Sequence, residues 1–406
     1  MKTKSLVART ILDSRGYWTV EAALTLKNGI RVTASVPQGK STGTSEAHAL
    51  PAARAVQNIN KVIAPWLVRA DFDDQAALDA FLIKLDGTAT KSKLGANAIL
   101  ATSIAFARAS AAAKKVPLWQ HLRTIAKLPA KKSPFSQPRL FINVVNGGLH
   151  AGNNLAFQEY LIIPKCRTIA ESVDAGVAMY QALGEALVIA KGNTAANLGD
   201  EGGYAPDFKD NIEPFALLQR VAKKLKLEKK IDFGMDAAAT DIKDPALARP
   251  GALAKTYAAI IKKYGPIYLE DPFGENDFEN FAELNKRYNG NKNSAGNTIW
   301  IAGDDLTTTN VRRMERAHAA KSVNAVIIKP NQIGSVSEAL DAVRLARKYG
   351  WTVVASHRSG ETNDDFIADF AYGVQADGLK LGAPARGERV AKYNRLLEIE
   401  KEIASS

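Results

Sequence analysis

The feature that most constrains this chain is a rhythm in its second half. Six short apolar runs recur there: IDFGMD (231–236), PIYLED (266–271), TIWIAGDD (298–305), NAVIIKP (324–330), TVVASH (352–357) and VQADGLKLG (374–382), with helical residues between them. Runs of this length that are apolar without strict alternation fit parallel strands buried on both faces. Strands alternating with helices in this way build a β/α barrel. Asp236, Glu270 and Asp304 each follow an apolar run and lie 34 residues apart, one strand–helix unit per step. That is close to the roughly 31 residues per unit of an ordinary barrel of about 250 residues. Lys329, His357 and Lys380 continue the series on the next three runs. The C-terminal ends of barrel strands converge on one mouth, where active sites sit, and here six in a row each carry an ionisable group.

Two further apolar runs precede these, LFINVV (140–145) and AFQEYLIIP (156–164), bringing the strands to eight. Too few residues separate them for a crossover helix, so they pair directly. Helical stretches around 169–191 and 212–227 follow. The expected fold class is therefore α/β, with an atypical ββαα(βα)6 barrel of the TIM type at residues 139–406. The first third differs. TVEAALTLKNGIRVTASVP (19–37) alternates and turns at Asn28-Gly29, which predicts a β-hairpin. Helical stretches from about 45 to 62 and from 75 to 113 make residues 1–126 an α+β domain. KLPAKKSPFSQP (127–138), with three prolines, three lysines and no apolar period, reads as the linker. A chain of 406 residues exceeds one ordinary core and accommodates this division.

Composition removes several classes. A single cysteine, Cys166, excludes an intrachain disulfide and fits a reducing, cytoplasmic setting. MKTKSLVART lacks the apolar core of a signal peptide, and ANAILATSIAFARASAAA (96–113) reads as a buried helix, so no membrane span is expected. The net charge of +12 is uneven: residues 1–138 hold 20 Lys and Arg against 8 Asp and Glu, and the rest balance at 34 each. A basic face of this kind predicts weak, salt-sensitive binding of polyanions. No nucleic-acid motif accompanies it.

Three carboxylates on adjacent strand ends repel one another unless a cation joins them, and hard oxygen donors suit Mg2+. The alternative is a salt-bridge network on the barrel rim. No zinc spacing of His or Cys is present. Lys329 and Lys380 stand across the ring, where each is expected to depress the other's pKa and make a general base. A lysine facing a metal suits removal of a proton beside a carboxylate. His357-Arg358-Ser359 offers a planar fork and a hydroxyl to an anion, although the triplet alone is weak. GDEGG (199–203) sets Glu201 on a glycine-flanked loop, either a simple turn or an acid placed to protonate a leaving hydroxyl. VPQGKSTG (36–43) and NVVNGGLHAGNN (143–154) are small-residue loops of the kind that close over sites, or plain surface loops. His48, His121 and His318 fall in helical stretches and read as structural or solvated.

Taken together, ARTILDSRG, GKSTGTSEA, KSKLGANAIL, NVVNGGLHAGNNLAFQEY, GDEGGYAP, EDPF, GDDL, NQIG, SHRSGET and GAPARGERVAKYN resemble, in order and nearly end to end, the motifs of the enolase family. The resemblance implies a Mg2+-dependent hydro-lyase of glycolysis that converts 2-phosphoglycerate to phosphoenolpyruvate, usually as a homodimer. It implies two Mg2+ ions, the first on Asp236, Glu270 and Asp304 and the second, arriving with substrate, helped by Ser41. By the same resemblance Lys329 is the base at C2 and Glu201 the acid at the C3 hydroxyl. His150, Glu159 and His357 lie beside the substrate, Arg358 and Ser359 on its phosphate, and Lys380 on its carboxylate. Two ion pairs would cross the dimer interface, Arg9 with Glu388 and Glu21 with position 398, where an acid, Glu398, replaces the family's arginine. Other departures are Trp18 for proline, Gln38 and Lys40 for small residues, Pro330 after the base, Leu381 and Gly387, and a short loop at 240–251. Two further readings compete: a relative acting on a different carboxylate, and a non-catalytic binding role through the basic first domain.

Overall fold

In the computed structural model, residues 1–40, 43–129, 137–289 and 298–405 are described. The chain opens on an antiparallel sheet of β1 (Thr3–Leu12), β2 (Trp18–Leu26) and β3 (Arg31–Ser35), with β2 in the middle. The expected hairpin is β2–β3. Gly29, at φ 91°, takes the left-handed position that its turn requires, and the Asn28 side chain accepts from the Ile30 amide. β1 is an addition to the sequence expectation. Its inward residues Leu6 and Ala8 are buried while Lys4 and Val7 face out.

Two helical expectations need correction. The stretch expected at 75–113 is two helices, Gln75–Asp86 and Ala96–Ala113. Gly87 and Gly95 both adopt positive φ, ending the first helix and redirecting the chain into the second. The stretch expected from 45 starts at Ala52, because Pro51 precedes its first turn, and runs on with a π turn to Arg69. His48 therefore lies in an exposed loop instead of a helix. The helix Ala96–Ala113 is nearly all buried and forms the core of this domain. Part of the expected linker, residues 130–136, lies outside the described residues.

Eight strands close the barrel: β4 (Arg139–Asn146), β5 (Glu159–Pro164), β6 (Ile231–Asp236), β7 (Tyr268–Glu270), β8 (Trp300–Gly303), β9 (Ala325–Ile328), β10 (Thr352–Ser356) and β11 (Gly378–Lys380). β5 runs antiparallel to both β4 and β6, and the remaining neighbours are parallel. With the helices Ile169–Lys191 and Glu213–Lys224 between β5 and β6, this is the expected ββαα(βα)6 order. The helix Ile169–Lys191 is long and apolar enough to cross a membrane by composition, but its inner face packs on β4 and β5 as part of the barrel's helical layer. Phe141, Leu161, Ile163, Tyr268, Ile327 and Val354 fill the barrel's interior, with the Phe141 and Tyr268 rings edge to face at 4.8 Å. The apolar plug leaves only the strand ends for polar chemistry.

The two domains are joined through a helix terminus. The first amides of the helix Val336–Lys348 are capped from the N-terminal domain: Val336 N donates to Ser103 Oγ at 3.0 Å and Ser337 N to Asp79 Oδ2 at 2.9 Å. Its own Ser335 takes the Glu338 amide. The loop after β10 is bound as closely, by reciprocal hydrogen bonds between the Gln38 and Gly360 backbones at 2.8 and 2.9 Å.

Candidate active site

Each charged strand end arrives where the barrel geometry directs it. Asp236 and Glu270 close β6 and β7 and are register partners, and Asp304 follows β8 directly. Lys329 and His357 follow β9 and β10, and Lys380 closes β11. Because β5 is antiparallel, its first residue rather than its last reaches the mouth, so Glu159 stands opposite Asp236 in register. One cavity is lined by His150, Glu159, Glu201, Asp236, Asp304, Lys329, His357, Arg358, Ser359 and Lys380. Glu270 lies at its base, fully buried and bound to Lys380. Ser41 lies outside the described residues.

The loops explain how Glu201 and His150 reach the same cavity. The GDEGG loop folds back on β4, with Gly203 N donating to Asn146 Oδ1 at 3.0 Å. A Cβ at Gly199 would stand 2.6 Å from the Asn146 Cβ and 2.7 Å from the His150 carbonyl oxygen, so only glycine lets the two loops close. Glu201 Oε2 accepts from Asn143 Nδ2 at 3.1 Å, with His357 Nε2 at 3.5 Å from it and His150 Nδ1 at 3.7 Å from Oε1. Pro330, unexpected after the lysine, occupies the first position of the short helix Pro330–Ile333, where its missing N–H leaves no bond unmade.

The electrostatics reverse one expectation. Lys380 does lower Lys329, but the net shift of both lysines is upward. Burial works against both ammonium groups, but Asp304 beside Lys329, and Asp236, Glu159 and Glu270 around Lys380, raise both pKa values, that of Lys380 well above the usual range. Lys380 Nζ reaches Asp236 and Glu159 at 3.0 Å and Glu270 at 2.9 Å, and Lys329 forms an ion pair with Asp304. The lysines extend across the mouth to the acids instead of standing apart from them.

The acids themselves carry more negative charge than these cations balance. Burial, followed by repulsion from Asp236, pushes Glu270 up to about 8. Burial and the neighbouring Glu201 raise Glu159, whose Oε2 is buried without a hydrogen-bond partner. Burial and Asp304 bring Asp305 to about 7. Crowded oxygen donors that hold protons for want of positive charge fit a divalent cation. Closer groupings of donors accompany the trio of the sequence reading. Among the described residues, the donor sets whose ligand atoms lie within 4.8 Å of one another are His150, Glu159 and Glu201, and Asp271, Asp304 and Asp305. Lys380 stands between Asp236 and Glu270.

Burial penalises the Glu201 carboxylate, and charged His150 and His357 rings would more than offset that penalty and bring it well below its usual range. Burial acts on the rings too, holding His150 low and His357 at about 3, so both are neutral at pH 7. With both rings neutral, the burial that favours a protonated Glu201 is opposed by the Lys380 charge.

Sequence reasoning passed over several groups in the same site. Asn143 on β4 holds Glu201, and Gln332 donates to Asp304 Oδ1 at 3.0 Å. Asp271 accepts the Asp304 and Asp305 amides at 3.0 and 2.7 Å. Asp271 was legible as the second acid of EDPF. Lys40 does not present a free charge to the cavity. Its ammonium binds Asp200 at 2.8 Å and the Leu149 carbonyl at 2.6 Å, drawing the first loop toward the loops of Glu201 and His150.

Buried acids and lysines at the mouth of a barrel, capped by a second domain, define a barrel enzyme of proton-transfer chemistry. Comparison with known proteins gives the family. Residues 3–122 match the enolase N-terminal domain and residues 134–406 the enolase C-terminal TIM barrel domain. Curated relatives include the enolases of Solanum lycopersicum, 41% identical over 435 residues, and Methanocaldococcus jannaschii, 42% identical over 422 residues. Each comparison covers 99% of this chain and 96% of the relative. The chain belongs to the enolase family and is a hydro-lyase, and the family carries a divalent metal.

Proposed function

We propose that the chain catalyses the reversible dehydration of 2-phosphoglycerate to phosphoenolpyruvate, with two Mg2+ ions as its cations. The observation that carries this reading is the single cavity shared by Lys329 and Glu201. A β-elimination needs a base at one carbon and an acid at the leaving group of the next, and these two residues supply both. Lys329 Nζ takes the C2 proton and Glu201 returns one to the departing C3 hydroxyl. Arg358 and Ser359 hold the phosphate, Lys380 the carboxylate, and His150, Glu159 and His357 surround the reacting carbons. Asp236, Glu270 and Asp304 would hold the first Mg2+, and Ser41 would contribute to the second. Bound there, the metal supplies positive charge against which a substrate carboxylate gains electron density. With its charge engaged by a bound cation, Asp304 would no longer raise Lys329. Burial, Arg358 and Lys380 would then favour the neutral form of the lysine.

The test is an absorbance assay of phosphoenolpyruvate formation with and without EDTA. Turnover should vanish in EDTA and return with Mg2+. Turnover that persists in EDTA, or no turnover of 2-phosphoglycerate at all, would overturn the reading. Alongside catalysis we propose a homodimer, a cytoplasmic setting suited to the lone Cys166, and weak polyanion binding by the basic first domain that fades with added salt.

A further inference from the structure

Arg358 and Glu46 belong to different domains and bind one another as two forks. Nη1 of Arg358 donates to Glu46 Oε2 and Nη2 to Glu46 Oε1, both at 3.1 Å, while Nη1 also donates to Asn331 Oδ1 at 3.0 Å. The pair is buried, with the side chains 5% and 7% exposed. Arg358 lines the catalytic cavity, whereas Glu46 lines a neighbouring one that shares Gly39 with it.

Glu46 is itself fixed. Its Oε1 accepts from the Gly43 amide at 3.1 Å and lies 3.4 Å from Gln332 Nε2. The next residue, Ala47, donates its amide to the Gln332 carbonyl at 2.7 Å. Gln332 is 1% exposed, takes the Thr309 hydroxyl at 2.9 Å and donates to Asp304 at 3.0 Å. The N-terminal loop at 43–47 is thus bound to the barrel beside Asp304 and presents one carboxylate to one arginine. A bidentate pair fixes the plane of the guanidinium as well as its position.

We propose that Glu46 is the positioning residue for Arg358: from the N-terminal domain it fixes the guanidinium plane, so that the barrel's phosphate site is complete only with that domain in place. This rests on the reading of Arg358 as the phosphate-binding arginine. An arginine on a flexible stem loses side-chain entropy whenever it orders around an anion, and Glu46 removes that cost before substrate arrives.

The test is steady-state kinetics with 2-phosphoglycerate at saturating Mg2+ on Glu46→Ala, Glu46→Gln, Arg358→Ala and the double variant Glu46→Ala/Arg358→Ala. Losing one charge-assisted pair should raise KM about tenfold in Glu46→Ala, with kcat changed much less. Glu46→Gln keeps the size and one acceptor, so it should recover part of that loss. The double variant should be no worse than Arg358→Ala, because Glu46 acts only through Arg358. A KM for Glu46→Ala within about twofold of wild type, or the same penalty with and without Arg358, would overturn the proposal while leaving Arg358 its role. If Arg358→Ala itself leaves KM unchanged, the phosphate reading fails and this proposal fails with it.

Discussion

Lys329 leaves β9 with its amide on Thr309 Oγ1 at 2.9 Å and its ammonium paired to Asp304. Both contacts aim the side chain into the cavity before any substrate is present, which is what a general base at a fixed carbon requires. Lys329→Ala should therefore abolish exchange of the C2 proton of 2-phosphoglycerate with solvent, a loss of at least about a hundredfold. Metal binding should survive, because the acids remain. Exchange in deuterium oxide followed by NMR checks this, and a variant that exchanges near the wild-type rate removes Lys329 from the role. Glu201→Gln makes the complementary case. The amide can keep a bond to Asn143 and the shape of the site, but it has no proton to give. It should slow dehydration more than it slows C2 exchange. Equal losses in both rates would make Glu201 a support for the base instead. These residues were legible because each sits at the end of an apolar run or between glycines. Asn143, Gln332 and Glu46 carried no such signal, since what defines them is a partner distant in sequence: Glu201, Asp304 and Arg358. The lysine electrostatics were misjudged for the same reason, because only the folded barrel shows which acids each ammonium meets.

The loop after β10 carries His357, Arg358 and Ser359, and the first domain holds it along its length. Ser14 N donates to the Glu361 carbonyl at 2.7 Å, Ser35 N donates to Asp364 Oδ2 at 2.9 Å, and Arg108 clasps Asp364 at 2.7 and 2.9 Å. Burial works against the Asp364 carboxylate, and Arg108 more than offsets it, so its pKa lies below the ordinary 3.8. A carboxylate depressed in the folded state stabilises above its unfolded pKa, and that contribution fades as pH falls through the lower folded value. Arg108→Met should cost about 3 kcal/mol at pH 7, because it leaves a buried charge without its partner. The gap from wild type should narrow at pH 3 and below, where Asp364 takes a proton in the variant and needs no cation. Urea melts at both pH values measure the two gaps, and a gap constant across that range would show that Arg108 acts through packing alone. The barrel elements were readable because strands such as Ala325–Ile328 are apolar on both faces. β1 was not, since TKSLVARTIL mixes charge into an edge strand buried on one side. The break at Gly87–Gly95 was hidden because the alanine-rich sequence after it resumes an apolar pattern, while the loop between the helices carries three positive φ angles, at Gly87, Lys91 and Gly95.

At the scale of the whole molecule, the proposed homodimer has to bring two copies together. The face of β1 and β2 exposes Val7, Leu12, Tyr17 and Trp18, the last at 62%, while the charges expected to cross the interface are already engaged within one chain. Arg9 pairs with Glu21 at 2.7 Å, its cross-strand partner in register, and Glu388 pairs with Arg386 at 3.0 Å. Glu398 pairs with Arg395 at 3.2 Å, and Arg395 is anchored by Asp369 at 2.8 Å. Were Glu21 and Glu398 brought together bare, like charges removed from water would cost several kcal/mol. Each instead carries its own cation, and Glu398 is 65% exposed, a setting in which an ion pair changes stability by about 1 kcal/mol or less. Replacing Glu398 by the family's arginine should then gain little. The new cation would meet Glu21, but it would also stand three residues from Arg395 and share Glu402 with it. Sedimentation equilibrium of wild type and Glu398→Arg should give dimer constants within about tenfold of one another, since tenfold corresponds to 1.4 kcal/mol. A dimer tightened well beyond that would mean that Glu21 and Glu398 face each other uncompensated, and that Arg9 and Arg395 leave them when the subunits join.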